Sequence, residues 1–395
     1  MCWGGAYRHI AVVAATLLLA SAAVAQIIPP SEQLGRERER FTQPPAPQAQ
    51  PGPGPNFLPS IRAPLGAAET VIVVREIQVV GSTIYSQDQL RPLYSDLIGT
   101  AVTVQTIYDL ARAITAKYGN DGYVLSRAIV PVQSFDPKGA GILIQIVEGY
   151  VDRVVWPSNL SRYRDFFSVY AAKIIADRPV NVRTIERYML LAGDLPGLKF
   201  ATSLKASTEN LAASTLVVEV TEKHIDAFAR IDNRGTAARG PIQYLAAATL
   251  NNVFGQHEAL TLSWASVQPI RELQYYSLNY RQVLTAGGLT FFADGSNTGG
   301  RPGTAQLELL DYRTKGYSWD AGLSYPVIRS RERNLTLSGL FFSSDNSSDI
   351  LGSPFNNDRL RGLRGKIDAD FADVLRGVNQ FNLTYSQGFQ VSAAP

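Results

Sequence analysis

The chain has 395 residues, with 37 basic and 34 acidic side chains, a net charge of +3, 45% apolar residues and one cysteine. A balance this close to neutral, without a basic block, excludes the electrostatic footprint of a nucleic-acid binder. The cysteine, Cys2, lies within a segment that reads as a removable leader, so disulfides and thiolate metal sites are excluded from the mature chain.

In chain order, Arg8 and His9 lead into an apolar run over 10–20 that ends at Ala23-Val24-Ala25, the pattern of a secretory signal peptide (1–25) cleaved after Ala25. The run is shorter than the ~20 apolar residues that a membrane-spanning helix needs. Residues 26–68 carry Pro29-Pro30, Pro44-Pro45 and Pro51-Gly52-Pro53-Gly54-Pro55, which predicts an extended linker. Within it, Ser31 to Arg40 is a charged stretch that could form a short helix capped by Ser31, although Gly35 favours a solvated charge run.

A β-α-α-β-β pattern follows twice. Residues 72–80 alternate as a strand, and 87–97 and 104–118 have helical spacing, with Leu110, Ile114 and Tyr118 on one stripe and Ile107 beside it. Gly122 ends the helix, and strands are predicted at 123–130 and 142–147. The second copy has a strand at 150–156, helices at 162–176 and 182–191, a turn at 193–197, and strands at 198–205 and 216–220. Units of this size (69–149 and 150–222) build only small cores, and in tandem they support one another.

From 223 onward strands are predicted at 225–231, 242–252, 258–268, 273–284, 289–294, 305–312, 317–327, 335–342, 363–371 and 381–389. Several have one apolar and one polar face. Tyr317, Trp319, Ala321, Leu323, Tyr325 and Val327 alternate with Ser318, Asp320, Gly322, Ser324 and Pro326. Such a strand separates two media, and periodicity alone fits either a soluble sandwich or an outer-membrane barrel. The leader favours the barrel, and so do segment lengths near the ~9 to 11 residues of a tilted membrane strand rather than the ~5 or 6 of a sandwich strand. Tight turns at Phe254-Gly255-Gln256 and Lys315-Gly316 also contrast with longer polar stretches at 295–303 and 343–358. On this reading Trp319, Ala321 and Leu323 face lipid, Asp320 and Ser324 face a lumen, and Arg364, Lys366, Asp368 and Asp370 line the pore.

Catalytic chemistry is not expected. His9, His224 and His257 are scattered without ligand spacing, Gly362 to Ile367 lacks the phosphate-loop spacing, and no G-x-S-x-G is present. No catalytic residue, metal site or cofactor is therefore predicted.

Five stretches in this order carry a resemblance: Asn120-Asp121-Gly122-Tyr123-Val124 running to Val130-Pro131-Val132-Gln133, the Glu148-Gly149 junction, Asp232-Asn233-Arg234-Gly235, Leu250-Asn251-Asn252-Val253-Phe254-Gly255, and Asn382-Leu383-Thr384-Tyr385-Ser386-Gln387-Gly388. With the repeated units and alternating strands, the chain resembles the haemolysin activation/secretion family, the outer-membrane transporters of two-partner secretion. The resemblance implies two periplasmic POTRA domains (α+β; 69–149 and 150–222), then a transmembrane antiparallel β-barrel of sixteen strands beginning at 223, with a plug helix in its lumen. It implies a large exported β-helical partner, haemolysin- or adhesin-like, an outer-membrane lipid environment and a monomeric barrel. By the same resemblance the first POTRA edge and groove would bind substrate through Ile107, Leu110, Ile114, Tyr123, Leu125 and Arg127, although the domain core is the commoner place for each apolar member. An outer-membrane insertase and a passive porin are the alternatives. The chain departs from the pattern by lacking V-R-G-[YF] and by ending on Val391-Ser392-Ala393-Ala394-Pro395, so an incomplete barrel of about ten strands, truncated relative to the family, is expected.

Overall fold

The computed structural model describes residues 41, 46–50, 61–134, 136, 139–158, 160–207 and 210–389. The leader, the charged stretch from Ser31 to Arg40 and the terminal residues 390–395 lie outside them.

The first α+β unit contains β1 (Val71–Val80), a one-turn helix α1 (Gln87–Leu90), β2 (Ala101–Thr103), α2 (Val104–Asn120), β3 (Arg127–Ile129) and β4 (Ala140–Val147). Its sheet runs β2-β1-β4-β3, with β1 and β4 parallel. Alternation on β1 turns Ile72, Val74, Ile77 and Val79 inward, where the apolar stripe of α2 covers them. The Thr103 hydroxyl caps α2 by accepting the Thr106 N–H. Three details differ from the sequence reading. The helix expected over 87–97 ends at Leu90 and gives way to two short 3-10 turns, Arg91–Leu93 and Ser95–Leu97. β2 is too short to show a period, and the strand expected over 123–130 shrinks to Arg127–Ile129 because the Ser126 N–H turns back onto the Tyr123 carbonyl.

The second unit contains β5 (Tyr150–Val155), α3 (Arg164–Ala176), α4 (Val182–Gly193), β6 (Leu198–Ala206) and β7 (Ala213–Glu222), in sheet order β5-β7-β6. The joint between the units explains two of the sequence motifs. Gly122 sits at φ +97°, where a Cβ would strike the Asn181 side chain, and its carbonyl accepts the Val182 N–H that opens α4. At Gly149 a Cβ would lie 2.3 Å from the Leu125 carbonyl oxygen, and the Gly149 carbonyl accepts the Val180 N–H.

Glu148, beside that glycine, ties the first unit together. Its carboxylate accepts the Thr83 and Ile84 N–H groups (2.8 and 3.1 Å), the Thr83 hydroxyl and the Tyr118 hydroxyl (2.9 Å). Burial opposes the charge, but the hydrogen bonds from Thr83, Tyr118 and Ile84 outweigh it and hold the carboxyl below its ordinary value of 4.5. Glu148→Gln is expected to destabilise this unit by about 1.5–3 kcal/mol in chemical denaturation, because charge-assisted bonds are lost and donors stranded. The parent's margin over the variant exists above the ordinary carboxyl value and disappears as pH falls through the lowered one.

The rest of the chain is one antiparallel meander: β8 (Ile225–Asp232), β9 (Ile242–Asn251), β10 (Glu258–Gln268), β11 (Gln274–Val283), β12 (Thr290–Gly300), β13 (Arg313–Arg329), β14 (Arg333–Ile350), β15 (Ser353–Ala372) and β16 (Val378–Gly388). These nine strands pair in sequence order, with β8 and β16 at the edges. The strand expected at 305–312 is instead a short helix, α5 (Ala305–Leu309), because Thr304 caps it and Leu307 is buried. The polar stretch 343–358, expected to be a loop, is strand: β14 and β15 run through it to a turn at Leu351 and Gly352, both at positive φ. Lys315-Gly316 likewise lies within β13 rather than in a turn. Polar side chains masked these extensions, since beyond the height of a bilayer a strand has no need of an apolar face.

Along β13 the face exposed to the surroundings is apolar and the covered face polar, with Trp319 and Leu323 50% and 46% exposed against 6% for Asp320. Leu337 and Leu363 continue the exposed apolar face on β14 and β15. A soluble protein has the reverse arrangement.

Candidate functional site

Four side chains on β15 point to the inner wall. Arg364 donates to the Ser386 hydroxyl (2.9 Å) and lies over the Phe342 ring, 4.4 Å from its centroid. Asp368 accepts from the Asn382 amide (2.6 Å), and Asp370 from the Asn334 amide (3.0 Å). Lys366 stands opposite Ser338 and Thr384 in the pairing register. The two-residue period therefore puts the four predicted residues on one face of one strand, with Leu363, Ile367 and Phe371 on the other.

The inner wall also holds an apolar patch that sequence reasoning missed. Leu245, Ala265, Val267, Leu273 and Tyr275 cluster there and are covered by Phe41, whose ring lies 5.3 Å from that of Tyr275. The linker read as extended thus lies against the sheet at Phe41 and again at Ala49 and Gln50. Near the second unit, the Ala49 N–H donates to Asp370 (2.6 Å) and the Gln50 N–H to the Arg331 carbonyl (2.8 Å). Two signals for this were present in the sequence: an isolated Phe41 in a polar stretch, and inner positions of β10 that turn apolar at Ala265 and Val267.

The rim that meets the second unit is built from the turns β9–β10, β11–β12 and β13–β14. Asn252 adopts φ +52°, takes the His257 N–H on its side-chain oxygen (2.9 Å) and donates to the Tyr163 hydroxyl (2.7 Å). His257 packs against Phe166 and Tyr163, with centroids at 4.3 and 5.1 Å. The motif Leu250 to Gly255 is therefore a docking turn for the second unit. Further round, Arg329 of β13 forms a bidentate pair with Asp194, both contacts at 2.8 Å, and donates to Asn334 at 2.9 Å.

His257 gives this joint a pH dependence. Burial lowers its imidazole below the ordinary 6.5, against an opposing pull from Glu258 and Asp165, so the docked state favours the neutral ring. Docking strength is fully present above 6.5 and is expected to fall as pH drops through the lowered value. His257→Gln should flatten that part of the profile, as read by protease accessibility of the second unit between pH 7 and pH 4.5.

The predicted substrate-binding set is not gathered into one open groove. Ile107 and Ile114 are 0% exposed and Leu110 is 4% exposed, so they belong to the covered core of the first unit. Tyr123 is half-buried against Tyr118, and Leu125 packs on the core of the second unit. Arg127 lies on the sheet-edge strand β3 and donates to the Leu211 carbonyl (3.1 Å). Of these six positions, Arg127 alone lies on an edge strand, the place where strand addition occurs.

A model of the ShlB-type POTRA domain matches residues 72–149, and a model of the haemolysin secretion/activation proteins ShlB/FhaC/HecB matches residues 213–394. Among characterised proteins the chain is similar to the heme/hemopexin transporter protein HuxB of Haemophilus influenzae, 20% identical over 300 residues that make up 75% of this chain and 52% of HuxB. HuxB of strain 86-028NP is 21% identical over 263 residues, 66% of this chain and 46% of that protein. The chain thus spans about half the length of the curated relatives it matches. Among solved structures, CdiB from Escherichia coli superposes with a TM-score of 0.60 at 16% identity, covering 86% of this chain and 63% of CdiB. CdiB from Acinetobacter baumannii gives 0.50 at 14% identity, covering 90% and 68%. At such identities these two structures speak to the fold: POTRA units followed by a large antiparallel barrel wall. With both family models matching in order along a chain of this architecture, it carries the domain plan of the ShlB/FhaC/HecB haemolysin secretion/activation proteins, with its POTRA units in the periplasm and its strand wall in the outer membrane.

Proposed function

We propose that the protein is an outer-membrane translocase that captures a large unfolded exoprotein with its POTRA units and passes it along the inner wall of its barrel. The observation that carries this reading is the combination of POTRA units docked on the near rim, a wall with polar inner side chains and an apolar exterior, and the chain's own N-terminal segment lying on the inner face. A wall that accommodates an extended peptide of its own chain has the chemistry to accommodate another. The domain plan is a leader over 1–25, a linker over 26–68, POTRA 1 over 69–149, POTRA 2 over 150–222 and barrel from 223 onward. HuxB, by its name, transports heme/hemopexin; a β-helical exoprotein of the haemolysin or adhesin kind is the partner class proposed here, served by a monomeric barrel without enzymatic activity.

Substrate capture is assigned to the β3 edge, Arg127–Ile129, by main-chain pairing, with the core residues behind it holding the edge in place. Arg364, Lys366, Asp368 and Asp370 keep the inner wall wet during passage. The test is secretion of a large repetitive exoprotein, sought first among the neighbours of this gene, in cells carrying the full-length transporter. Ala128→Pro would remove the N–H that binds the buried Thr115 hydroxyl (2.9 Å) and so distort the β3 edge, and secretion is expected to fall at least tenfold while the heat-modifiable band of the folded barrel persists. Undiminished secretion would overturn the β3 assignment, and a barrel that secretes nothing with any neighbouring exoprotein would overturn the translocase reading.

A further inference from the structure

The N-terminal segment and POTRA 2 contact the same short stretch of barrel rim, and they do so through shared groups. The Ala49 N–H donates to Asp370 Oδ1 at 2.6 Å, and the Asn334 amide donates to the same oxygen at 3.0 Å. The other end of that amide accepts from Arg329 Nη1 at 2.9 Å, and Arg329 spends Nε and Nη2 on Asp194 of POTRA 2. Two residues along the β13–β14 turn, the Arg331 carbonyl accepts the Gln50 N–H at 2.8 Å, and the Glu186 carboxylate of α4 feels the Arg331 charge.

Asn334 and Arg329 are 5% and 8% exposed, so water does not readily replace a lost partner. An amide has one donor end and one acceptor end. The orientation that offers the Asn334 NH2 to Asp370 is the one that aims its oxygen at Arg329. Disturbance at either terminus of this relay is therefore felt at the other, as in other buried polar networks whose members are not additive.

We propose that the relay Ala49–Asp370–Asn334–Arg329–Asp194 makes residence of the N-terminal segment on the inner wall and docking of POTRA 2 on the rim mutually dependent. Withdrawal of the segment loosens POTRA 2, and displacement of POTRA 2 loosens the segment, by equal factors in the two directions. This coupling concerns the protein's own parts and does not depend on what passes through the barrel.

The test uses the full-length protein in lipid nanodiscs with two spin-label pairs read by pulsed EPR. Labels at Gln48 and Thr384 report the segment, and labels at Lys173 and Leu375 report POTRA 2. Asp194→Asn, on POTRA 2, is expected to raise the population with the segment off the wall about fivefold or more. Deleting residues 41–50 should spread the POTRA 2 distances by a matching factor. Asp194→Glu keeps the carboxylate and should restore the parental segment distribution. In an Asn334→Ala background the effect of Asp194→Asn on the segment should shrink markedly, since the shared amide is gone. Each variant is first checked for the heat-modifiable band of a folded barrel, and Asn334→Ser replaces the alanine variant should that one not fold. A segment population unchanged by Asp194→Asn overturns the proposal. So does an effect of equal size with and without Asn334.

Discussion

Arg329→Met is expected to detach POTRA 2 from the rim while the strands remain paired, at a cost of about 3–5 kcal/mol, because a buried ion pair is broken from one side only. Asp194 would lose both of its 2.8 Å contacts, and the Asn334 oxygen would lose its guanidinium donor. The side chains involved are 9% exposed for Arg329 and 21% for Asp194, which separates this pair from the surface pairs of the same barrel. Arg271–Glu308, for instance, is 65% and 49% exposed, and Arg271→Met should change stability by no more than about 1 kcal/mol. Limited proteolysis at the 222–225 junction, with urea titration of the barrel in parallel, measures both. Equal effects of the two substitutions would show that Arg329 does not hold the joint.

The second large effect concerns the membrane face. Leu323→Arg should cost about 2–4 kcal/mol in lipid, the value for a cation on the lipid-facing side near the bilayer midplane. Ser324→Arg, one residue on and facing the inner wall, should cost little. Leu323 is 46% exposed in the structure, so in water the same substitution would be nearly neutral; the penalty arises only if hydrocarbon is the medium outside. Urea midpoints of the protein folded into phosphatidylcholine vesicles decide the matter, and identical midpoints for the two variants would refute the assignment of faces.

Much of the fold was legible because it rests on local rules. The stripe Leu110, Ile114 and Tyr118 identified α2 by its helical spacing, and the alternation from Tyr317 to Val327 identified β13 by its two-residue period. Legibility ended where a polar sequence adopts strand structure. Residues 343–358 carry no apolar alternation, yet they pair because a strand started within the bilayer continues beyond it as a hairpin. The helix at Ala305–Leu309 was misread in the opposite direction, a few apolar residues passing for a strand when Thr304 caps them as a helix turn.

The site divides along the same line. Spacing placed Arg364, Lys366, Asp368 and Asp370 on one face, since a strand permits no other arrangement. It could not tell that Asp370 joins a chain of contacts from Ala49 to Asp194, because residues 321 and 135 positions apart meet there. Ile107, Leu110 and Ile114 carry the same ambiguity: an apolar stripe fits a groove as well as a core, and only the sheet packed over it resolved them as core.

By itself, then, the sequence determined the periodicity of each segment, the tandem β-α-α-β-β units, the motifs at Gly122, Gly149 and Asn252, and the two-faced character of the strands, all consequences of backbone geometry acting over a few residues. The tertiary structure decided which side of each strand is covered, that Phe41 and Ala49 lie on the inner wall, and that the motif glycines and asparagines are joints between units. Those properties depend on contacts between distant residues, whose register no local period encodes.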